Sequence, residues 1–256
     1  MTIELELVNQ PVIAGTRQLS MSQRVYDTVR NAIVQLQLRP GHLLSEAELA
    51  RHMGVSRQPV REAFIKLAEA GLVEVRPQRG TFVKLISIRE VQNSRFIREA
   101  IELAVIRKAA ERIKPSGIAE LRELVAEQRV ALAGKLIDFM RLDDDFHCAI
   151  AAHGGVEHAW RHIVSLKAQL DRVRFLGFPQ ATPRPQVIAQ HTAVVDALER
   201  NDVDGPVTMM HLHLNELAPS LPQLAEEHAA VSYTHLTLTP SDLVLISGGV
   251  VRLHKT

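Results

Sequence analysis

Between residues 45 and 83 the chain carries helix start and stop signals so closely spaced that only short helices and a hairpin fit between them. Ser45 followed by Glu48 is a capping box, and Gly54 ends the helix it opens. Ser56 is the next candidate N-cap, with Pro59 in the first turn, where a missing N–H costs little. Val60, Phe64 and Leu67 then mark a buried face that stops at Gly71. Leu72–Val75 and Thr81–Val83 flank a Gly-containing turn and read as two strands. Upstream, Val25, Val29, Ile33 and Leu36 predict a helix over 21–37, halted by Leu38-Arg39-Pro40-Gly41. Three helices followed by a hairpin form a winged helix-turn-helix.

In such a unit the third helix presents its first turn to base edges in the major groove. Here that turn carries Arg57, Gln58 and Arg61. A guanidinium can grip guanine bidentately, and a Gln amide can do the same with adenine. Backbone amides at Ser56 can hold a phosphate. The wing tip carries Arg76, Gln78, Arg79 and Gly80, the glycine permitting close approach to DNA. Charge supports this weakly. Residues 21–84 hold ten Lys/Arg against six Asp/Glu, a balance of +4, and residues 88–231 hold seventeen against twenty, a balance of −3.

Leu44-Ser45-Glu46 through Ala50, Gly54-Val55-Ser56-Arg57-Gln58-Pro59-Val60-Arg61-Glu62-Ala63, Gly71-Leu72-Val73 and Arg79-Gly80-Thr81-Phe82-Val83 closely resemble the GntR family of transcription regulators. The resemblance implies that Arg57 and Arg61 contact an operator in double-stranded DNA, supported by Ser56 and Gln58, with Gly80 at the wing tip. One position departs from it: some members carry Arg where this chain has Ala47, which removes a possible contact.

The second half reads as helices near 88–113, 116–133, 135–153, 156–176, 184–200 and 203–218, an antiparallel helical bundle in a mostly α protein. Asp143 and His147 lie four apart and share one helix face. With His191 and His213 from two later helices, one carboxylate and three imidazoles can surround a divalent ion of the Zn, Ni or Mn type. Spacing alone leaves a blander reading open, because eight histidines fall between 88 and 231 and some pairs arise by chance. Leu142-Asp143-Asp144-Asp145-Phe146-His147, Gln190-His191 and His213-Leu214 look like the metal-ligand motifs of the helical ligand-binding domain in the FadR-type branch of the same family. That resemblance implies Asp143, His147, His191 and His213 as ligands, and Asp144, Asp145 and His211 as non-ligands. Arg98 has two readings of equal weight: partner of a carboxylate effector, or half of a surface i,i+4 pair with Glu102.

The domains are therefore expected as a flexible arm over 1–20, a DNA-binding unit over 21–84, an effector-binding unit over 88–231 and a tail over 232–256. The tail alternates Thr and Leu, favours strand, has no evident partner and reads as a non-native or disordered appendage. A single cysteine, Cys148, excludes an internal disulfide framework and fits the cytoplasm. No apolar run is long enough for a membrane span. The function expected is that of a homodimeric regulator, a repressor or an activator and not an enzyme, tuned by a small organic acid bound near the metal. A regulator in which the ion itself is the signal, and a metal-dependent hydrolase, are the alternatives.

Overall fold

The structure is a computed structural model that describes residues 20–177, 183–202, 204–228 and 232–233. The expected arm, apart from Ser20, and the tail beyond 233 lie outside the described residues.

Helix α1 (Met21–Val34) is capped by Ser20, whose side chain accepts from the backbone N–H of Gln23. It buries Val25, Val29 and Ile33. It ends earlier than expected, because Leu36 takes a positive φ of 57° and Leu38 turns inward in its place. Strand β1 (Leu43–Leu44) follows, a segment to which the sequence reading gave no element. Ser45 caps α2 (Glu46–Met53), which stops at Gly54 in the left-handed conformation. Helix α3 (Arg57–Glu69) packs on α1 and α2 through Val60, Ala63, Phe64 and Leu67, all buried. Strands β2 (Val73–Arg76) and β3 (Gly80–Val83) pair antiparallel, and β1 adds to the far edge of β3, giving the order β1-β3-β2.

Strand β4 (Ile86–Ser87) is the joint between the halves, and Ser87 caps the long helix α4 (Ile88–Ala110) by accepting from Glu90 N–H. Helices α5 (Pro115–Val130), α6 (Leu136–His153), α7 (Glu157–Leu166), α8 (Ala168–Gly177), α9 (Arg184–Glu199), α10 (Asp204–Asn215) and α11 (Leu221–Glu227) complete the chain. The sequence reading counted six helices in this half. Among the described residues there are eight, because 156–176 breaks at Lys167 and α11 is additional. Short connections leave sequential helices packed side by side around Phe139, Phe146, Ile150, Trp160, Val194 and Leu198. Each such large apolar side chain contributes about 1.5–3 kcal/mol by leaving water.

The two apolar cores interlock. Val34 of α1 belongs to the bundle core, and Ala168 of α8 belongs to the core of the winged unit. Strand β5 (Ser232–Tyr233) pairs parallel with β4, so the first residues of the tail do find a partner, supplied by the extended joint. Among the described residues no helix is long and apolar enough to cross a membrane.

Candidate functional site

The winged unit offers an exposed cationic face. Ser56 holds the N-cap position of α3, but its hydroxyl makes no capping bond. Arg57, Gln58 and Arg61 are exposed. Gln58 donates to Glu62 at 3.1 Å and Arg61 pairs with Glu46 at 3.2 Å. Arg76 pairs with Glu74 and lies over the Phe82 ring, 4.7 Å from its centroid. Exposed pairs of this kind contribute little, so phosphate or base can replace the carboxylates at little cost. At the wing tip Gln78 has φ of 59° and Gly80 has φ of 106°. A Cβ on Gly80 would meet only Leu43 Cδ1, the tip of an exposed side chain that can move aside, so the positive φ is what calls for glycine there. An open cleft of about 440 Å³ lies between the N-termini of α1 and α3, lined by Ser20, Ser22, Ser56 and Glu62 among others.

The second constellation lies inside the bundle. Helix α6 brings Asp143 and His147 to one face, α9 brings His191 and α10 brings His213; all four are buried, and one ligand atom from each lies within 4.8 Å of the others. The Nε2 atoms of His147 and His213 are 3.2 Å apart, and those of His191 and His213 are 3.4 Å apart.

What surrounds the rings decides their tautomers. His191 Nδ1 faces Gln128 Oε1 at 2.8 Å, while Gln128 Nε2 donates to the Leu142 carbonyl and so fixes which amide end points at the ring. His213 Nδ1 faces Gln190 Oε1 at 2.9 Å, and Gln190 Nε2 donates to Glu216. His147 Nδ1 abuts Glu102 Oε2. Each Nδ1 therefore meets an acceptor and carries the proton, which leaves three Nε2 lone pairs converging. Asp143 adds a buried carboxylate, and its Oδ1, 3.7 Å from His191 Nε2, has no hydrogen-bond donor. Lone pairs and a carboxylate oxygen crowded together out of water repel one another unless a cation sits among them. A guanidinium also reaches the rings: Arg98 Nη2 is 3.5 Å from His147 Nε2.

Charge is balanced from outside the histidines. Burial alone would raise the Glu102 carboxyl, but Arg98 at 2.5 Å and His147 outweigh it and hold it near 2. Burial would likewise raise Asp143, and Arg174 at 2.8 Å holds it well below the usual carboxylate range. Burial pushes His191 down to about 3 and His213 downward as well, so both stay neutral and able to ligate. The two readings of Arg98 meet here: it does pair with Glu102, yet the pair is buried against the histidine centre rather than on the surface.

Sequence reasoning ran α8 together with α7 as one helix over 156–176 and gave its side chains no role. Four of its polar side chains, Gln169, Asp171, Arg172 and Arg174, are buried. Arg174 pairs with Asp143 of the histidine centre. Just before the helix, Lys167 bridges Asp144 at 2.8 Å and Asp171 at 2.6 Å. Toward the winged unit, Asp171 pairs with Arg30 of α1 at 2.7 Å, Gln169 donates to the Gly71 carbonyl at 2.5 Å and Arg172 donates to the Lys84 carbonyl at 2.8 Å. Burial pushes the Arg172 guanidinium down to about 10. The i,i+4 spacing of Lys167 and Asp171 was visible in the sequence, but their distant partners were not.

Comparison with known proteins agrees with this architecture. Residues 21–83 match the family described as bacterial regulatory proteins, gntR family, and residues 95–216 match the FCD domain. The chain is 42% identical over 231 residues to the HTH-type transcriptional repressor RspR of Escherichia coli K12, covering 90% of this chain and 97% of that one. It is 34% identical over 229 residues to a transcriptional regulator of Streptomyces ambofaciens, covering 89% and 96%. Among solved structures, McbR/YncC of E. coli superposes with a TM-score of 0.69 at 22% identity over 80% of this chain and 98% of that one. A GntR regulator from Rhodococcus sp. RHA1 gives 0.63 at 23% identity over 82% and 100%. With a winged helix-turn-helix, a helical bundle behind it and relatives that are regulators rather than enzymes, the chain belongs to the GntR family of transcription regulators with an FCD domain.

Proposed function

We propose that this protein is a cytoplasmic, homodimeric repressor whose grip on a DNA operator is set by a small carboxylate bound beside a divalent metal. Asp143, His147, His191 and His213 are the metal ligands, and the observation that carries this is the convergence of three Nε2 lone pairs on the donor-free Asp143 Oδ1. The N₃O donor set suits Zn, Ni or Mn. The ion supplies a Lewis-acidic anchor for an effector oxygen. Arg98 reads the effector's carboxylate by the bidentate geometry of its guanidinium, which already points at His147. Arg57, Arg61 and Gln58 read bases, while Ser56, Arg76, Arg79 and Gly80 fix the backbone. That RspR is named a repressor favours repression here.

Control needs a path from site to head, and α8 supplies one. Asp143 turns Oδ1 to the histidines and Oδ2 to Arg174, and the same helix holds Arg30, Gly71 and Lys84 of the winged unit. Ligation that draws on Asp143 shifts the balance of this ionic chain, and with it the placement of the head.

Elemental analysis of purified protein should find a divalent metal in the parent and a large loss in His191→Ala. Arg57→Ala should retain the metal but lose about 1–3 kcal/mol of specific operator affinity. Equal metal in parent and His191→Ala would remove the centre; unchanged operator binding in Arg57→Ala would remove the recognition-helix assignment.

A further inference from the structure

Arg98 is buried on α4, with Glu102 one turn further on and buried beside it. Glu102 joins the guanidinium to the histidine centre. Its Oε1 accepts from Arg98 Nε at 2.5 Å, and its Oε2 abuts His147 Nδ1. The far end of the guanidinium, Nη2, lies 3.5 Å from His147 Nε2. One ion pair thus grips His147 at both ring nitrogens. The ring has little room to turn away, because the Trp160 indole lies parallel to it with centroids 5.8 Å apart. The neutral ring has one lone pair, so Nη2 and a metal ion are rivals for Nε2.

Charge points the same way. The charged side chains that touch the centre are Asp143 and Glu102 against Arg98 and Arg174, two of each sign. Beside them Lys167, Asp144, Asp171 and Arg30 pair among themselves. A divalent ion therefore adds two positive charges where the side chains already balance, and uncompensated charge out of water is costly. Burial chiefly, and the Arg98 charge with it, push His191 and His213 away from the protonated form. A charge that opposes a proton on those rings opposes a metal ion there too.

We infer that Arg98 competes with the metal for His147, and that the ligand completing the site is a dianion, a short dicarboxylate rather than a monocarboxylate. The inference rests on the metal and effector reading above and names the effector's charge class. Arg98 can yield Nε2 without leaving its place, because Nε stays on Glu102 while Nη2 turns from the ring. Once off the ring, Nη2 donates to one carboxylate of the ligand, and the other is left for the ion. The two negative charges of the ligand offset the two that the ion adds. Against the ion alone Arg98 stands as a rival; toward ion and dianion together it stands as a partner. Each of the two therefore raises the protein's affinity for the other.

Zinc affinity of the full chain, measured at fixed free zinc in a chelator buffer at neutral pH, tests this. In the parent, malonate or succinate should tighten zinc binding about tenfold or more, while acetate and butyrate at equal ionic strength change it little. Arg98→Met removes the rival. It should hold zinc about tenfold more tightly than the parent with no carboxylate present, and malonate and succinate should add nothing further. Damage to the fold weakens metal binding, so a gain isolates the rivalry. Acetate or butyrate as effective as the dianions, or zinc affinity unmoved by all four, overturns the dianion and leaves the metal centre standing. Zinc held no more tightly by Arg98→Met than by the parent overturns the rivalry. A parent that binds no zinc overturns the centre and this inference together. If Arg98→Met does not fold, Arg98→Gln, which also withdraws the charge, takes its place with the same expected gain.

Discussion

At the scale of single residues, the histidine centre depends on side chains that never touch its middle. Gln128 and Gln190 each use one amide end to fix the other, and that other end sets a ring tautomer. Gln128→Leu keeps the bulk and removes the acceptor. It should lower zinc affinity about 10–100-fold, measured by competition with a chelator, while thermal stability changes far less. Zinc affinity equal to the parent's would mean that the ring needs no such partner. Asp143 and His147 were legible as a pair because four residues make one helical turn; His191 and His213 were candidates among eight histidines, and the family resemblance singled them out. Gln128, Gln190 and Arg174 were not legible. Their partners lie on other helices, and no local periodicity encodes a contact made across the bundle.

At the scale of elements, local signals read well and tertiary ones badly. The caps at Ser45 and the glycine stop at Gly54 were readable because caps act over three or four residues. Strand β1 was not, since Leu43 and Leu44 become a strand only by pairing with Phe82 and Thr81. Nor was the break at Lys167, where a buried ammonium bridges two carboxylates and the helix interrupts to let α7 and α8 pack differently. Helix α8 is built for connection: its buried charges contribute little net stability, and they tie the bundle to α1 and to the carbonyls of Gly71 and Lys84. Loading the protein with zinc should slow amide exchange in α8 and, through Asp171, in α1 and the turn at 71–73. In Arg30→Gln the slowing should stay within the bundle, with zinc affinity near that of the parent. The same slowing of α1 in both proteins would show that the head is reached by another route.

At the scale of the whole molecule, the buried site makes the fold sensitive to acid. His191 titrates near 3 when folded against an ordinary value of 6.5, so below 6.5 the unfolded chain takes up a proton that the folded chain refuses. Stability therefore falls as pH drops from about 6.5 toward 3. Glu102 adds to this, its contribution being full above 4.5 and lost as pH falls toward about 2. The melting temperature of the zinc-free protein, followed by circular dichroism, should decline steadily across that range, and His191→Asn should flatten the upper part. A level profile from pH 6.5 to 4 would mean that the centre opens to water in solution. The same burial joins the halves, for Val34 sits in the bundle core and Ala168 in the head core. Chimeras that graft this head onto a foreign sensor at residue 85 would leave a socket in the head where Ala168 belongs and orphan the carbonyls of Gly71 and Lys84. A workable graft has to carry α8 along with the head, so the recombinable module here is discontinuous in the gene.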